Sequence, residues 1–286
     1  MSEAPHLLAG DEELELLRAR FDYELADGFA TPSGSYYWFR KRRQILALIE
    51  RHRARLGRTP VVTDLGCGTG ADLMVLRRAL GPGTYIGIEG DPSALRVCEL
   101  RRAHHRAEDV SFVMRDLTGG VPLDDATVDL AYCSEVVEHL PDPDALLADV
   151  ARIVKPGGHL LLTTPNQPNV FQRSFWSGRR RARQAARTAV EVRERREIAD
   201  ATGATPLYGH ISVRPVKAWD ATLERAGFTL LDSARGALTY GSRRAVDREP
   251  VLAGMFALQA ALDLLPHALT RPLSDQLIGL YRRSPA

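Results

Sequence analysis

Two glutamates and a histidine fall within five residues of the stretch CSEVVEHLPDP, Cys133 to Pro143. Glu135, Glu138 and His139 stand at i, i+3 and i+4, positions that share one face if the stretch is helical. Such a face suits three different roles. It offers hard and borderline donors for a divalent cation, a histidine poised as a general base, or merely the polar start of a helix. Another histidine, His210 in LYGHIS, joins the question from further along the chain. Two carboxylates and two imidazoles would take Mg²⁺, Mn²⁺, Fe²⁺ or Zn²⁺, and mixed nitrogen and oxygen ligation suits Mg²⁺ least.

The elements that must position these groups alternate regularly from 61 to 163. VVTDL (61–65), TYIGIE (84–89), VSFVMRD (110–116), VDLAYCS (128–134) and HLLLTTP (159–165) read as strands. Helices are expected at 71–80, from Pro92 to about His105, and at 142–154, where Lys155-Pro156-Gly157-Gly158 stops the last one. That rhythm predicts an α/β, Rossmann-like fold: a mostly parallel sheet with right-handed crossovers and helices on both faces. RPVKAWDATLERAGF (214–228) adds a helix, FTLLDSA (228–234) a strand, and DQLIGLYRR (275–283) a closing strand. Ahead of the sheet, 11–27 reads as an amphipathic helix, TPSG (31–34) as a loop, and the basic stretch 36–56 as a second helix. The expected organisation is a helical leader or cap over 1–60. A catalytic domain over 61–286 follows, interrupted by helical insertions at about 166–209, a lid, and at 241–272.

Between the first strand and its helix lies DLGCGTG. Gly66, Gly68 and Gly70 permit backbone conformations and a close ligand approach that side chains would block. The Gly66–Ala71 spacing also fits a dinucleotide fingerprint, which alone is weak evidence. Two acids favour a different nucleoside ligand. Asp64, inside the strand end, would repel a pyrophosphate and suits a cationic ligand. Glu89 ends the second strand, where an acid accepts hydrogen bonds from ribose hydroxyls.

Bulk properties narrow the field. The chain has 286 residues and a net charge of +2, with arginines clustered at 40–58 and 173–196. Three separated cysteines with no CxxC argue against a disulfide framework and for a reducing, cytoplasmic setting. No apolar run reaches the ~18 residues of a membrane span. The nearest, VLAGMFALQAALDLLP (251–266), is interrupted by Gln259 and Asp263.

With these motifs in order, the chain resembles the class I S-adenosylmethionine-dependent methyltransferases. The resemblance covers 61–165 and 208–233, through DLGCGTG, GIEGDP, MRDL, CSEVVEHLPDP, IVKPGGHLLLTTPN and RAGF. It is closest in look to the branch containing the ubiquinone-biosynthesis O-methyltransferases. It implies a seven-stranded sheet and S-adenosylmethionine as cofactor. Asp64, Gly66, Gly68 and Gly70 would line the methionine moiety, Glu89 the ribose diol, and Asp116 with Leu117 the adenine. Cys133 and Ser134 would lie under the methyl donor. Arg40, with Arg43 behind it, is the candidate for the cofactor carboxylate, against a solvated basic helix. Relatives that bind a divalent cation through a Glu-x-x-Glu-His stretch and a later histidine match Glu135, Glu138, His139 and His210. A metal-free base at His139 and a structural role remain open beside that reading.

The expected function is O-methylation of a hydroxyl on an aromatic or sugar-bearing small molecule. Its catalytic residues would be His139, Glu138 and His210. The arginine-rich lid would fit an acidic or glycosylated acceptor, or be a solvated face. The apolar 250–266 stretch would serve a homodimer interface, an apolar acceptor or a membrane surface. An RNA terminal-ribose 2′-O-methyltransferase is an alternative, although no nucleic-acid module is recognisable. An NAD-dependent oxidoreductase is another, and Asp64 argues against it.

Overall fold

The computed structural model describes residues 32–166, 210–236 and 249–285. The expected 11–27 helix and the lid between Asn166 and His210 lie outside these residues, with Phe171, Arg173, Phe175 and Trp176. Alternation along the strands sets the architecture. In β4 (Val128–Ser134), Leu130 and Tyr132 point to one face of the sheet, and Ala131 and Cys133 to the other. All four are buried, as expected of a strand covered on both sides.

Seven strands form one sheet in the order β3-β2-β1-β4-β5-β7-β6. These are β1 (Val61–Leu65), β2 (Thr84–Glu89), β3 (Val110–Met114), β4, β5 (Val154–Pro165), β6 (Phe228–Ser233) and β7 (Gln276–Arg283). Strands β1 to β5 pair in parallel, and β7 runs antiparallel to both β5 and β6. The order reverses between β1 and β4, which opens the crevice where ligands of such sheets bind.

Helices α1 (Pro32–His52) and α2 (Ala71–Leu80) cover one face, through Ile45, Leu48, Ile49, Leu73 and Leu76 against Val62, Leu130 and Leu161. Helices α4 (Pro143–Ile153) and α5 (Val216–Arg225) cover the other, with Leu147, Val150, Trp219 and Leu223 against Leu65, Ala131 and Leu160. Helix α3 (Pro92–His104) links β2 to β3, and its Asp91 cap accepts from Ser93 N. Between β6 and β7 lie α6 (Glu249–Asp263) and the short α7 (His267–Thr270).

Three local expectations change. Of the expected TPSG loop, Pro32 to Gly34 instead begin α1, because proline is accommodated where a helix's first amides lack partners anyway. The fifth strand starts at Val154, so Lys155 to Gly158 continue the strand through a register shift instead of separating it from α4. The third change concerns Glu135 to His139, which are not on an α-helix. Glu135 sits at φ 56, outside the helical region, and only Val137–His139 make a 3-10 turn.

Asn166 joins the site-bearing segments. Buried after β5, it donates through Nδ2 to the carbonyls of Ser274 (2.6 Å) and Pro272 (3.2 Å), and accepts from Val216 N (2.9 Å). Its own amide donates to the Asp275 carbonyl. Asn166→Ala strands these buried partners, and we expect a loss of about 3 kcal/mol in urea unfolding. A loss below about 0.5 kcal/mol would show that the segments hold together without it.

Candidate active site

The glycine loop takes the shape its composition demands. Gly66, Gly68 and Gly70 have φ of 70, 54 and 75°, the left-handed region closed to most side chains. Gly66 has a second reason to be glycine: a Cβ there would lie 2.6 Å from Val136 Cγ2. The cofactor loop and the Glu135–His139 turn therefore pack directly on one another.

Asp64 is 2% exposed, and its Oδ2 has no hydrogen-bond partner. Burial, then the neighbouring Asp72 and Glu89 carboxylates, push its pKa well above the ordinary carboxylate range. A buried, partnerless acceptor among acids is matched by a cation such as the ammonium of the methionine moiety. Glu89 closes the loop from the other side: Oε2 accepts from Gly68 N (2.9 Å), and Oε1 from Gly90 N and Asp91 N. Asp116 lies two residues beyond β3 and caps a 3-10 turn over Leu117–Gly119 by accepting from Thr118 N; Leu117 is buried. This loop, with its unfilled acceptor, fits the cofactor expected there.

Arg40 is engaged elsewhere. Its guanidinium grips Asp263 at the end of α6 in a two-pronged pair, at 2.9 and 2.8 Å. That pair ties α1 to the end of α6. Arg42 pairs with Asp72, which also accepts from Tyr132 Oη at 2.8 Å.

At the end of β4, Glu138, His139 and His210 converge, with one ligand atom from each within 4.8 Å of the others. The rings of His139 and His210 meet edge to face with centroids 4.8 Å apart. Backbone hydrogen bonds bring them together: the Glu138 carbonyl accepts from both Ile211 N (2.8 Å) and Ser212 N (2.9 Å). Glu138 is fully buried; Thr164 Oγ1 donates to its Oε2, and Oε1 has no hydrogen-bond partner. Burial, then the Glu135 carboxylate, push Glu138 up to about 8. A buried carboxylate oxygen beside two imidazoles is chemically matched to a divalent cation.

Glu135 stands apart from that cluster. Its Oε1 accepts from Thr163 Oγ1 (2.9 Å) and Gln276 Nε2 (2.8 Å), and Lys41 Nζ lies 3.4 Å away. The Thr163 proton goes to Glu135, so Ser134 Oγ donates to Thr163 at 2.9 Å. The sequence reading missed Lys41, which is 2% exposed within a basic run otherwise indistinguishable from a solvated face. It also missed Thr163, Thr164 and Gln276, ordinary strand residues without a local signal. Cys133 is fully buried, with its thiol pushed upward by burial first.

The chain belongs to the methyltransferase-domain family, whose model matches residues 37–233. It is a class I S-adenosylmethionine-dependent methyltransferase, as the family and the fold together show. It is 31% identical over 99 residues to a phthiotriol/phenolphthiotriol dimycocerosates methyltransferase of Mycobacterium leprae, covering 35% of each chain. It is 32% identical over 108 residues to a ubiquinone biosynthesis O-methyltransferase of Paracidovorax citrulli, covering 37% of this chain and 44% of that one. The chain thus spans less than half the length of either relative. Magnesium protoporphyrin IX methyltransferase of Synechocystis PCC 6803, solved with bound SAH, shares the fold. Its TM-score is 0.55 at 13% identity, over 93% of this chain and 94% of that one.

Two outcomes follow. Were Glu138, His139 and His210 to hold Mn²⁺, titration calorimetry would show binding that Glu138→Gln abolishes and Glu135→Gln weakens by no more than about tenfold. Equal losses from both would place Glu135 among the ligands. The second concerns Asp275, beside Gln276, whose buried Oδ1 has no hydrogen-bond partner. Burial, then Glu135, push it from 3.8 up to about 8. The folded state therefore holds the proton more tightly than the unfolded one, and stability falls as pH rises through that window. Asp275→Asn removes this loss. Its urea midpoint exceeds the wild type's above pH about 8, and the gap closes toward pH about 4; a gap that is constant with pH would contradict this.

Proposed function

We propose that this methyltransferase transfers the methyl group of S-adenosylmethionine to a hydroxyl of a small-molecule acceptor, assisted by a divalent cation. The observation that carries the reading is the buried Oε1 of Glu138, which accepts no hydrogen bond and faces His139 Nε2 at 3.9 Å, with His210 beside them at the end of β4. Names among the relatives lend support: one specifies O-methylation and the other a phthiotriol.

The chemistry explains why such a cluster is useful. The sulfonium cofactor supplies an already activated methyl group, so the difficulty lies in the acceptor's proton. A phenol of pKa ~10 is about three units from neutrality, roughly 4 kcal/mol. A cation held by Glu138, His139 and His210 would supply the Lewis acidity that lowers a hydroxyl's pKa. Asp64, Gly66, Gly68 and Gly70 would hold the methionine end of the cofactor, Glu89 its ribose, and Asp116 with Leu117 its adenine. Ser134, directed at Thr163, borders the transfer site. Val136, packed on Gly66, would keep the glycine loop and the Glu135–His139 turn in register. His139 is 36% exposed, so solvent would reach the site and take up the acceptor proton directly.

The test is transfer of labelled methyl from the cofactor to a panel of catechols, phenols, sugar diols and amines. The expected product is a base-stable ether, with activity lost on chelation and restored by Mn²⁺. Glu138→Gln should lower kcat by about a hundredfold or more. Label appearing only on amines would overturn O-methylation, and full activity after chelation with no metal in the protein would leave His139 as a metal-free base.

A further inference from the structure

Glu135 orients the groups around it. An ionised carboxylate only accepts hydrogen bonds, so each polar neighbour must turn a proton toward it. Thr163 gives its hydroxyl proton to Oε1 at 2.9 Å and in turn accepts from Ser134 at 2.9 Å. Gln276 gives its amide nitrogen to the same Oε1 at 2.8 Å. The Gln276 amide is planar, so its own oxygen points away from Glu135; flipping the amide would set oxygen against carboxylate. Gln276 is 2% exposed, and this amide Oε1 accepts no hydrogen bond. A buried amide oxygen without a donor is costly, and it is unexplained by the packing of β7.

The place of Gln276 in the sheet narrows what would meet it. Thr163 shares a sheet face with Leu161, Gln276 with Ile278, and Ser134 with Leu130 and Tyr132, all on the side that α1 covers. Lys41 stands one turn before Ile45 on the inward side of α1, 3.4 Å from Glu135. Glu138 lies across the sheet, since its partner Thr164 alternates with Thr163 along β5. Gln276 pairs with Pro165 at the end of β5, at the carboxyl edge where ligands of such sheets bind. Glu135, 21% exposed, marks the solvent side. Charge narrows the ligand further. Lys41 answers Glu135, and Arg40 is paired with Asp263. Asp275, through burial and then Glu135, keeps its proton up to about 8. Among the described residues these charges cancel, so the amide oxygen is matched by a neutral donor. An ammonium would meet Lys41, and a carboxylate has no proton to give.

We propose that Gln276 Oε1, at the start of β7 beneath α1, is a specificity site that accepts a hydrogen bond from a hydroxyl of the methyl acceptor. Thr163 and Glu135 stand between Gln276 and Ser134, which borders the transfer site, so this hydroxyl is set apart from the atom that is methylated. The contact rests on the small-molecule acceptor proposed above, but it needs neither the cation nor oxygen as the methylated atom.

Calorimetry on the full chain, saturated with S-adenosylhomocysteine and treated with EDTA, compares catechol with 1,2-dimethoxybenzene, the same ring without hydroxyl protons. Catechol is expected to bind more tightly by about tenfold or more, the ratio one neutral hydrogen bond gives. Gln276→Met removes the amide and should bring catechol down to the level of dimethoxybenzene, while retained S-adenosylhomocysteine binding certifies the fold. A crystal structure of the wild-type complex should place a catechol oxygen within hydrogen-bonding distance of Gln276 Oε1. The wild-type comparison and this structure decide the matter even where the variant does not fold. Equal binding of the two rings, no binding of catechol, tighter binding of benzylamine, or only a water on Oε1 would each overturn the assignment. So would a folded Gln276→Met variant that keeps the preference. Failure of the cation or of O-methylation is read separately, because neither enters this measurement.

Discussion

The carbonyl oxygen of Glu138 receives the amides of Ile211 and Ser212. On this bifurcated contact the candidate centre depends, because it brings a segment from far along the chain against the end of β4 and sets His210 beside His139. Ser212 strengthens the seam by donating its hydroxyl to the Leu140 carbonyl at 2.5 Å. The same residue, Glu138, then presents its carboxylate, half satisfied by Thr164 and half unpartnered. One residue thus uses its backbone to assemble the site and its side chain to give the site a chemical purpose.

Two glutamates so close together, one buried and one half-buried, need compensation, and the structure divides the task. Glu135 is neutralised by Lys41 and hydrogen-bonded by Thr163 and Gln276, so its charge is spread over α1, β5 and β7. Glu138 feels Lys41 only weakly, after burial and the Glu135 carboxylate, and holds its proton up to about 8 instead. A buried carboxyl oxygen left without a hydrogen bond is costly, and this one faces the His139 and His210 rings. The left-handed backbone at Glu135 is what separates the two side chains, sending one toward the leader and the other toward the histidines.

Much of this was legible in the sequence. Strand and helix alternation led directly to the parallel sheet, and DLGCGTG to the glycine loop with three left-handed glycines. The grouping of Glu138 and His139 with His210 came from the resemblance to relatives with a Glu-x-x-Glu-His stretch and a later histidine, since nothing local links residues about seventy positions apart. The side-chain directions were not legible. Spacing at i, i+3 and i+4 assumed a helix, yet neither glycine nor proline marks the left-handed turn at Glu135. The resemblance nominated Arg40 for the cofactor carboxylate, and its pairing with Asp263, 223 positions away, had no local signal. Lys41 looked solvated because a run such as RKRR does not reveal which of its members turns inward. Burial and partners arise from tertiary packing, and local pattern carries little of it.

The most direct test is a crystal structure grown with S-adenosylhomocysteine and Mn²⁺, with anomalous data locating the metal. The expected peak lies among Glu138, His139 and His210, with Glu135 still held by Lys41, Thr163 and Gln276. A peak that draws Glu135 into its ligand shell, or no peak at this site, would contradict the division of roles between the two glutamates.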